Sequence, residues 1–449
     1  MTPIFTIKDF SFSYPFSTQR ISLAGEISIE RGECILISGA SGSGKSTLLA
    51  ALKGLIPHYI NGNLGGEIQF CGRSTGELNS SEMLAIGYLQ QNPDSQLICP
   101  DVFSELAFAL ENLGLTAEEI KAKIEAICQK FAVSHLLSRK TATLSGGEKQ
   151  KINLLAILLM EPEVILLDEP TAFLDPASAW QIAEILQEYR HHKTIIIIEH
   201  NHHYFDKMIS RGLLVGADGQ ISMVEREQID WHQPLTNTPA TLNADSPVIL
   251  EINNLHFSYS SDVKLLNNIS LQLRAGEIIA ICGSNGSGKS TLLKLIAGII
   301  GSSGAIFWQQ QDIAQLKRAQ LWRDLRLIWQ NPENHFIYLK VQDELTNQPE
   351  LLEQFNLAAV KNHNPFNLSE GQKRRLSLAI GLRGNSQLLL LDEPTFGQDY
   401  ANKQILAEVL LNSAKRGTAI IMVSHDEDFV DSLCQRIYQL KDGQLVSRN

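Results

Sequence analysis

Two stretches of this chain carry glycines, a lysine and hydroxyls at a spacing suited to holding phosphate: GASGSGKST from Gly39 to Thr47 and GSNGSGKST from Gly283 to Thr291. Both satisfy GxxxxGK[ST], through Gly39, Gly44, Lys45 and Ser46 and through Gly283, Gly288, Lys289 and Ser290. The glycines, with Gly42 and Gly286 between them, let backbone N–H groups converge on phosphate oxygens, and Thr47 and Thr291 complete the two sets. A following helix adds its positive N-terminal end, the lysine a point charge, and the serine hydroxyl a ligand for Mg²⁺. Downstream, each copy has an apolar run closed by Asp-Glu, at Asp168-Glu169 and Asp392-Glu393. The aspartates are placed to hold the magnesium, and the glutamates to orient and activate an attacking water.

The elements that must position these groups repeat with them. Lys45 and Lys289 stand 244 apart, Tyr14 and Tyr259 245, Gln91 and Gln330 239, and Asp168 and Asp392 224. The second copy is therefore about five residues shorter before the glutamine and about fifteen shorter after it. From Asp168 onward the copies are expected to stay in step, 224 apart again at Gly219 and Gly443. EISIERGECILISG and ISLQLRAGEIIAICG read as strands leading into the Gly-rich turn, and STLLAALKGL and STLLKLIAGI have helical spacing. The runs VILLDEP, QLLLLDEP, TIIIIEH and AIIMVSH read as strands buried on both faces of a mainly parallel α/β sheet, whose carboxyl ends are where ligands bind.

The first domain is expected over residues 1–226 and the second over 248–449, joined by a polar, proline-bearing linker at 227–247. With 44% hydrophobic and 19% charged residues the chain can bury substantial cores. A net charge of −11 without a Lys/Arg run offers no footprint for nucleic acid, and none is expected as a partner. The N-terminus lacks the layout of a secretory signal, and no apolar stretch approaches the ~18 residues that span a bilayer. Cys34, Cys71, Cys99, Cys128, Cys282 and Cys434 form no C-x-x-C pair and read as small apolar residues beside buried strands.

Together with LSGGEKQK at Leu144 and LSEGQKRR at Leu368, these motifs resemble the ATP-binding-cassette (ABC) superfamily, each family motif being present twice. The resemblance implies two tandem P-loop NTPase domains, each with a mainly parallel core sheet, an antiparallel edge subdomain and a helical subdomain, the second helical subdomain shortened. It implies ATP and Mg²⁺ as ligands and an intramolecular head-to-tail pairing of the cassettes. Site one would join Lys45, Ser46, Gln91, Asp168, Glu169 and His200 with Ser369 and Gly371. Site two would join Lys289, Ser290, Gln330, Asp392, Glu393 and His425 with Ser145 and Gly147. Within these sets Ser46, Gln91, Asp168, Ser290, Gln330 and Asp392 would serve the metal, Glu169, Glu393, His200 and His425 the hydrolysis, and Tyr14 and Tyr259 would stack on adenine. A metal site at the cluster His200-Asn201-His202-His203 is not expected, since no second ligand set accompanies it.

Four positions depart from the family pattern: Glu370 for a glycine, Glu148 for a glutamine, Gln398 for a leucine and Asn201 for an aspartate. Glu370 would weaken site one, giving two competent sites of unequal rate. QNPDSQL and QNPENHF resemble ATPases of energy-coupling-factor importers. That resemblance implies uptake of a vitamin, vitamin precursor or metal ion, with a transmembrane coupling subunit and a substrate-capturing membrane subunit as partners, and a place on the cytoplasmic face of the membrane. The shortened second half would dock on the coupling subunit differently from the first. A soluble ribosome-associated twin-cassette factor is the alternative, but the linker is short and neither basic nor helical. A DNA-repair or chromosome ATPase would need a long coiled-coil insertion that the sequence lacks.

Overall fold

The computed structural model describes residues 3–15, 20–40, 42–172, 174–229, 235, 237–239, 245–259, 265–301, 305–346, 348–384 and 386–448, with the side chain of Glu370 also outside the description. The chain divides into two compact units, Met1–His232 and Gln233–Asn449. Most of the expected linker lies outside the described residues. Its start does not: Ile229, after the short turn Arg226–Gln228, is buried in the first unit's core.

In the first unit a six-stranded sheet runs in the order Ile221–Glu225, Arg211–Val215, Cys34–Gly39, Thr194–Ile198, Val164–Asp168 and Ile86–Leu89. All its pairings are parallel except that of the outer Ile221–Glu225. Every residue of Val164–Asp168 and Thr194–Ile198 is buried, which is why these strands read as unbroken apolar runs instead of alternating. Alternation survives in where the side chains go. Ile165, Leu167, Ile195 and Ile197 enter a core shared with the helices, while Val164, Leu166, Ile196 and Ile198 enter a core shared with an antiparallel sheet built on Phe5–Ser13 and Asn63–Phe70. Truncating any of them to alanine should cost roughly 2–5 kcal/mol.

The second unit repeats this plan. Its six strands run Leu325–Ile328, Leu388–Asp392, Ala419–Val423, Ile278–Cys282, Arg436–Lys441 and Gln444–Arg448, with a four-stranded antiparallel sheet around Val248–Phe257 and Leu266–Arg274. The copies are not in strict step after Asp168, however. Thr194–Ile198 and Ala419–Val423 stand 225 apart, because the intervening helix has 16 residues at Tyr400–Lys415 against 14 at Pro176–Tyr189, while the connection after it is one residue shorter in the second unit.

The helical regions differ more. The first unit has Val102–Asn112 and Ala117–Lys130, of 11 and 14 residues, ahead of Gly146–Leu159. Asp101 and Thr116 cap the first two by accepting amides of Ser104 and Glu119. In the second unit the counterparts are Val341–Glu344 and Glu350–Gln354, four and five residues long, ahead of Glu370–Gly381. Among the described residues no helix is long and apolar enough to cross a membrane. Four cysteines are buried as expected, but Cys71 is exposed on a turn at φ +50° and Cys99 is partly exposed.

Candidate functional site

Each phosphate loop grows out of a central strand, Cys34–Gly39 or Ile278–Cys282, and ends at a left-handed glycine, Gly44 or Gly288, both at φ +105°. These glycines cap the helices Lys45–Leu52 and Lys289–Ile296 with no side-chain hydrogen bond, and the positive N-terminal end of each helix suits a phosphate. Gly39, at φ +146°, passes so close to the neighbouring strand that a Cβ there would meet the Val215 carbonyl at 2.2 Å. Lys45 Nζ donates to the carbonyls of Gly39 and Ala40, both at 2.9 Å, and Lys289 Nζ to those of Gly283 and Ser284, at 2.7 and 2.9 Å. Each ammonium is thereby held within its own loop.

The acids stand beside these loops. Asp168 ends its strand with Oδ1 buried and without a hydrogen-bond partner among the described residues. Burial pushes its carboxyl up to about 7, helped by the Glu169 charge and opposed by hydrogen bonding from Ser46 and by Lys45. An orphaned buried carboxylate oxygen next to a serine hydroxyl is the donor set a hard, hydrated Mg²⁺ takes, so the residues fit the metal. Asp392 is likewise raised by burial, with Ser290 and then Arg374 and Lys289 opposing. Tyr88, its phenol held protonated chiefly by burial with the Asp168 charge adding to it, is a neighbour of Asp168 that the sequence reading missed.

Glu169 and Glu393 follow at φ +51° and +53°, each pinned by its own amide to the neighbouring strand, at Ile198 O and Val423 O, both 2.9 Å. Residues other than glycine adopt this left-handed backbone at a cost in energy, here met at both positions. His200 Nε2 lies 3.4 Å from Glu169 Oε1, and His425 Nε2 3.4 Å from Glu393 Oε1. The two carboxyls titrate differently. Burial pushes Glu169 up, but the His200 ring, Lys45 and Gln91 outweigh it and leave it below the ordinary range. Burial wins at Glu393 and holds it raised, against Lys289.

Tyr14 and Tyr259 stand exposed over the loops, their hydroxyls 3.1 Å from Thr47 Oγ1 and 3.3 Å from Thr291 Oγ1, and each ring packs edge-on against Phe12 or Phe257. Gln91 stands close enough to Glu169 to help lower its carboxyl, and Gln330 follows the matching strand Leu325–Ile328. The signature serines are N-caps: Ser145 Oγ accepts the amide of Glu148 and Ser369 Oγ that of Gln372, each in a reciprocal capping box. Their O–H protons remain available to a ligand. Gly147 and Gly371 lie in the first turns of the same helices. Within its own unit each loop is therefore joined to its Asp, Glu and His.

Two departures acquire reasons here. Glu148 closes the capping box and pairs with Arg139 at 2.8 Å, and Gln398 is buried, its amide 3.5 Å from Gly371 O. His203 of the histidine cluster packs on Tyr204 and near Trp180.

Several site-bordering residues escaped the sequence reading. Buried Glu105 accepts the amides of Ile98 and Cys99, and buried Glu344 those of Ile337 and Tyr338. Gln96 Oε1 accepts the amide of Gln90, and His335 Nε2 that of Trp329. Asp94 pairs with Lys149 at 2.5 Å and Glu333 with Lys373 at 2.6 Å, tying each glutamine loop to its signature helix. Arg374, 2% exposed, bonds Trp329 O where the first unit has Gln150. The signal that could have found the first two pairs is their spacing, 239 residues like the glutamines themselves.

The sequence profile described as ABC transporter matches residues 25–172 and 266–396. A Bacillus subtilis (strain 168) protein named "Putative HMP/thiamine import ATP-binding protein YkoD" is 32% identical over 99% of this chain and 91% of its own length. A Sulfurisphaera tokodaii protein named "Putative ABC transporter ATP-binding protein" is 33% identical over 98% of this chain and 97% of its own. Solved structures sharing the fold include RNase-L Inhibitor, at TM-score 0.66 and 19% identity over 98% of this chain and 90% of that one. Another is ribosome-bound archaeal Pelota and ABCE1, at TM-score 0.72 and 18% identity over 97% and 78%. With both halves matched and both carrying the nucleotide-handling groups, this chain belongs to the ABC transporter family, as an ATPase in which two ATP-binding cassettes are fused.

Proposed function

We propose that this chain is the ATP-hydrolysing subunit of a membrane importer of the energy-coupling-factor type. It drives uptake of a vitamin, a vitamin precursor or a metal ion through a transmembrane coupling subunit and a substrate-capturing subunit, from the cytoplasmic face of the membrane. The observation that carries this reading is a device built twice. Seven residues beyond each glutamine, Ile98 and Ile337 are 64% and 82% exposed, on backbone fixed from behind by Glu105 and Glu344. Large aliphatic side chains held out in water on a braced loop suit an apolar partner. Tyr338 and Leu339 extend the apolar surface in the second unit, Phe103 and Phe108 in the first, which supports unequal docking on an asymmetric coupling subunit. The import role named for the Bacillus relative points the same way.

In this reading the cassettes pair head to tail, so that Ser369 and Gly371 face the nucleotide held by Lys45, and Ser145 and Gly147 that held by Lys289. Ser46, Gln91 and Asp168, and Ser290, Gln330 and Asp392, would hold Mg²⁺, which offsets charge on the phosphate oxygens. Tyr14 or Tyr259 stacks on the base. Glu169 or Glu393 accepts the proton of the attacking water as its oxygen bonds the γ-phosphorus and the bond to the β-phosphate oxygen breaks, with His200 or His425 holding the water and the γ-phosphate.

The test is purification of the tagged full chain from detergent-solubilised membranes. Co-purification of hydrophobic subunits, lost in Ile98→Asp and Ile337→Asp, is the expected result. Recovery with ribosomes instead would replace this reading by the soluble alternative.

A further inference from the structure

The strand Thr194–Ile198 runs into Glu199, a carboxylate only 5% exposed that immediately precedes His200. Its Oε1 accepts the backbone N–H of His200 at 2.8 Å and of Asn201 at 3.2 Å. Its Oε2 accepts the hydroxyl of Thr171 at 2.5 Å and the Thr171 amide at 3.2 Å. One side chain thus fastens the segment bearing His200 to the segment two residues past Glu169.

The second unit has Ser424 at this place. Its hydroxyl lies 3.4 Å from Thr395 Oγ1 and accepts the Asp426 amide at 3.1 Å. A serine at this distance supplies no acceptor for the histidine's amide, and the N–H of His425 goes to Glu393 Oε2, at 3.3 Å. A carboxylate has a limited set of lone pairs, and each one given to a fixed backbone donor is withdrawn from water.

We propose that Glu199 is a positioning residue for ATP hydrolysis in the first cassette. By taking the His200 amide it leaves the Glu169 carboxylate to the His200 ring, Gln91 and the water, whereas Glu393 shares its carboxylate with the main chain. The inference rests on Glu169 being the water-activating group of the first cassette. It locates one source of unequal turnover inside the cassettes themselves.

The experiment measures kcat and KM for Mg-ATP on the full chain in a Glu393→Gln background, so that turnover reports the first cassette, with the wild-type residue at position 199 as the reference. Glu199→Ser, which copies the second cassette, is expected to lower kcat about fivefold to tenfold with KM within about twofold, the pattern of a group that acts on the chemical step. Glu199→Gln keeps an oxygen for the His200 and Asn201 amides, with its NH2 turned to the Thr171 hydroxyl, and should retain at least about half of the wild-type kcat. A kcat within twofold of wild type in Glu199→Ser, a fall accompanied by a proportional rise in KM, or an equal fall in Glu199→Gln would overturn the proposal. Should Glu199→Ser fail to fold, Thr171→Val removes one donor to Oε2; a lowered kcat supports the brace and an unchanged one overturns it. Glu169→Gln is measured alongside: turnover that survives it removes the role assigned to Glu169, while turnover lost in Glu169→Gln but intact in Glu199→Ser removes only the positioning role.

Discussion

His200 Nε2 stands 3.4 Å from Glu169 Oε1, and the same 3.4 Å separates His425 Nε2 from Glu393 Oε1. At that distance imidazole and carboxylate touch without a tight bond, a spacing that suits a third group between them. Glu169→Gln and Glu393→Gln preserve shape and remove only the proton acceptor. Each should lower steady-state ATP turnover, with about 10²-fold or more lost in the double variant, while nucleotide affinity stays within a few-fold. Wild-type turnover in the double variant, measured by phosphate release, would refute the role.

Metal binding at the first cassette should depend on pH. The Asp168 carboxyl is pushed up to about 7 and must lose its proton to act as a ligand. The Mg²⁺ concentration for half-maximal hydrolysis should therefore rise as pH falls below 7, approaching about tenfold per unit for one displaced proton. Asp168→Asn should remove this dependence together with most of the first cassette's turnover. A half-saturation point flat from pH 8 to 6 would contradict the assignment.

His335 makes the second unit sensitive to acid. Burial, with the Arg374 charge adding to it, pushes the imidazole down to about 4, and its Nε2 accepts the Trp329 amide, which only the neutral ring can do. The unfolded chain, with histidine near 6.5, binds more protons between pH 6.5 and 4, so stability falls as pH drops through that window. The loss should reach about 3 kcal/mol below pH 4. His335→Gln, which copies Gln96 of the first unit, should flatten the urea-midpoint profile of the second unit across the same range.

Glycine is required at position 39 for two reasons, a left-handed φ and the approach of Val215 O. Gly39→Ala should cost more than about 3 kcal/mol, because the blocking atom is backbone and cannot move aside. Gly32, at φ +80° with nothing within 4 Å of a Cβ, is the comparison. Gly32→Ala should cost about 1–2 kcal/mol, the backbone conformation alone. Equal thermal shifts in the two variants would show that the contact is irrelevant.

Gln150 offers a stabilising change. It is 1% exposed, and neither of its side-chain polar atoms has a hydrogen-bond partner among the described residues. Gln150→Met removes the unsatisfied amide at similar volume and should raise stability by about 1 kcal/mol. A drop in melting temperature would show that the amide is satisfied by water.

The parts of the molecule legible in sequence are those whose physics is local. Val164–Asp168 and Thr194–Ile198 announce themselves because a strand covered on both faces must be apolar throughout. The glycines of the phosphate loops announce themselves because only they allow the required backbone. Glu199 was hidden because a carboxylate at a strand end normally faces water, and its value here depends on Thr171, brought beside it only by sheet pairing. Gln96 and His335 were hidden because two chemically unlike side chains perform one task, accepting an amide six residues back. The slip of one residue between Asp168 and His200 is easily missed, although His200 and His425 stand 225 apart, because the landmarks on either side, Asp168 and Gly219, share an offset of 224 that conceals an insertion and a compensating deletion.

The left-handed turn at Glu169 and Glu393 also limits how these positions can drift. Asn, Asp and Gly are the residues such a backbone accepts most readily. All three are shorter than glutamate, so a lineage relaxing the strain would gain a more comfortable main chain and forfeit reach toward the scissile phosphate. Durable loss of one acid is thus expected to leave a descendant whose affected half grips nucleotide and spends it slowly, turning a working cylinder into a timing element.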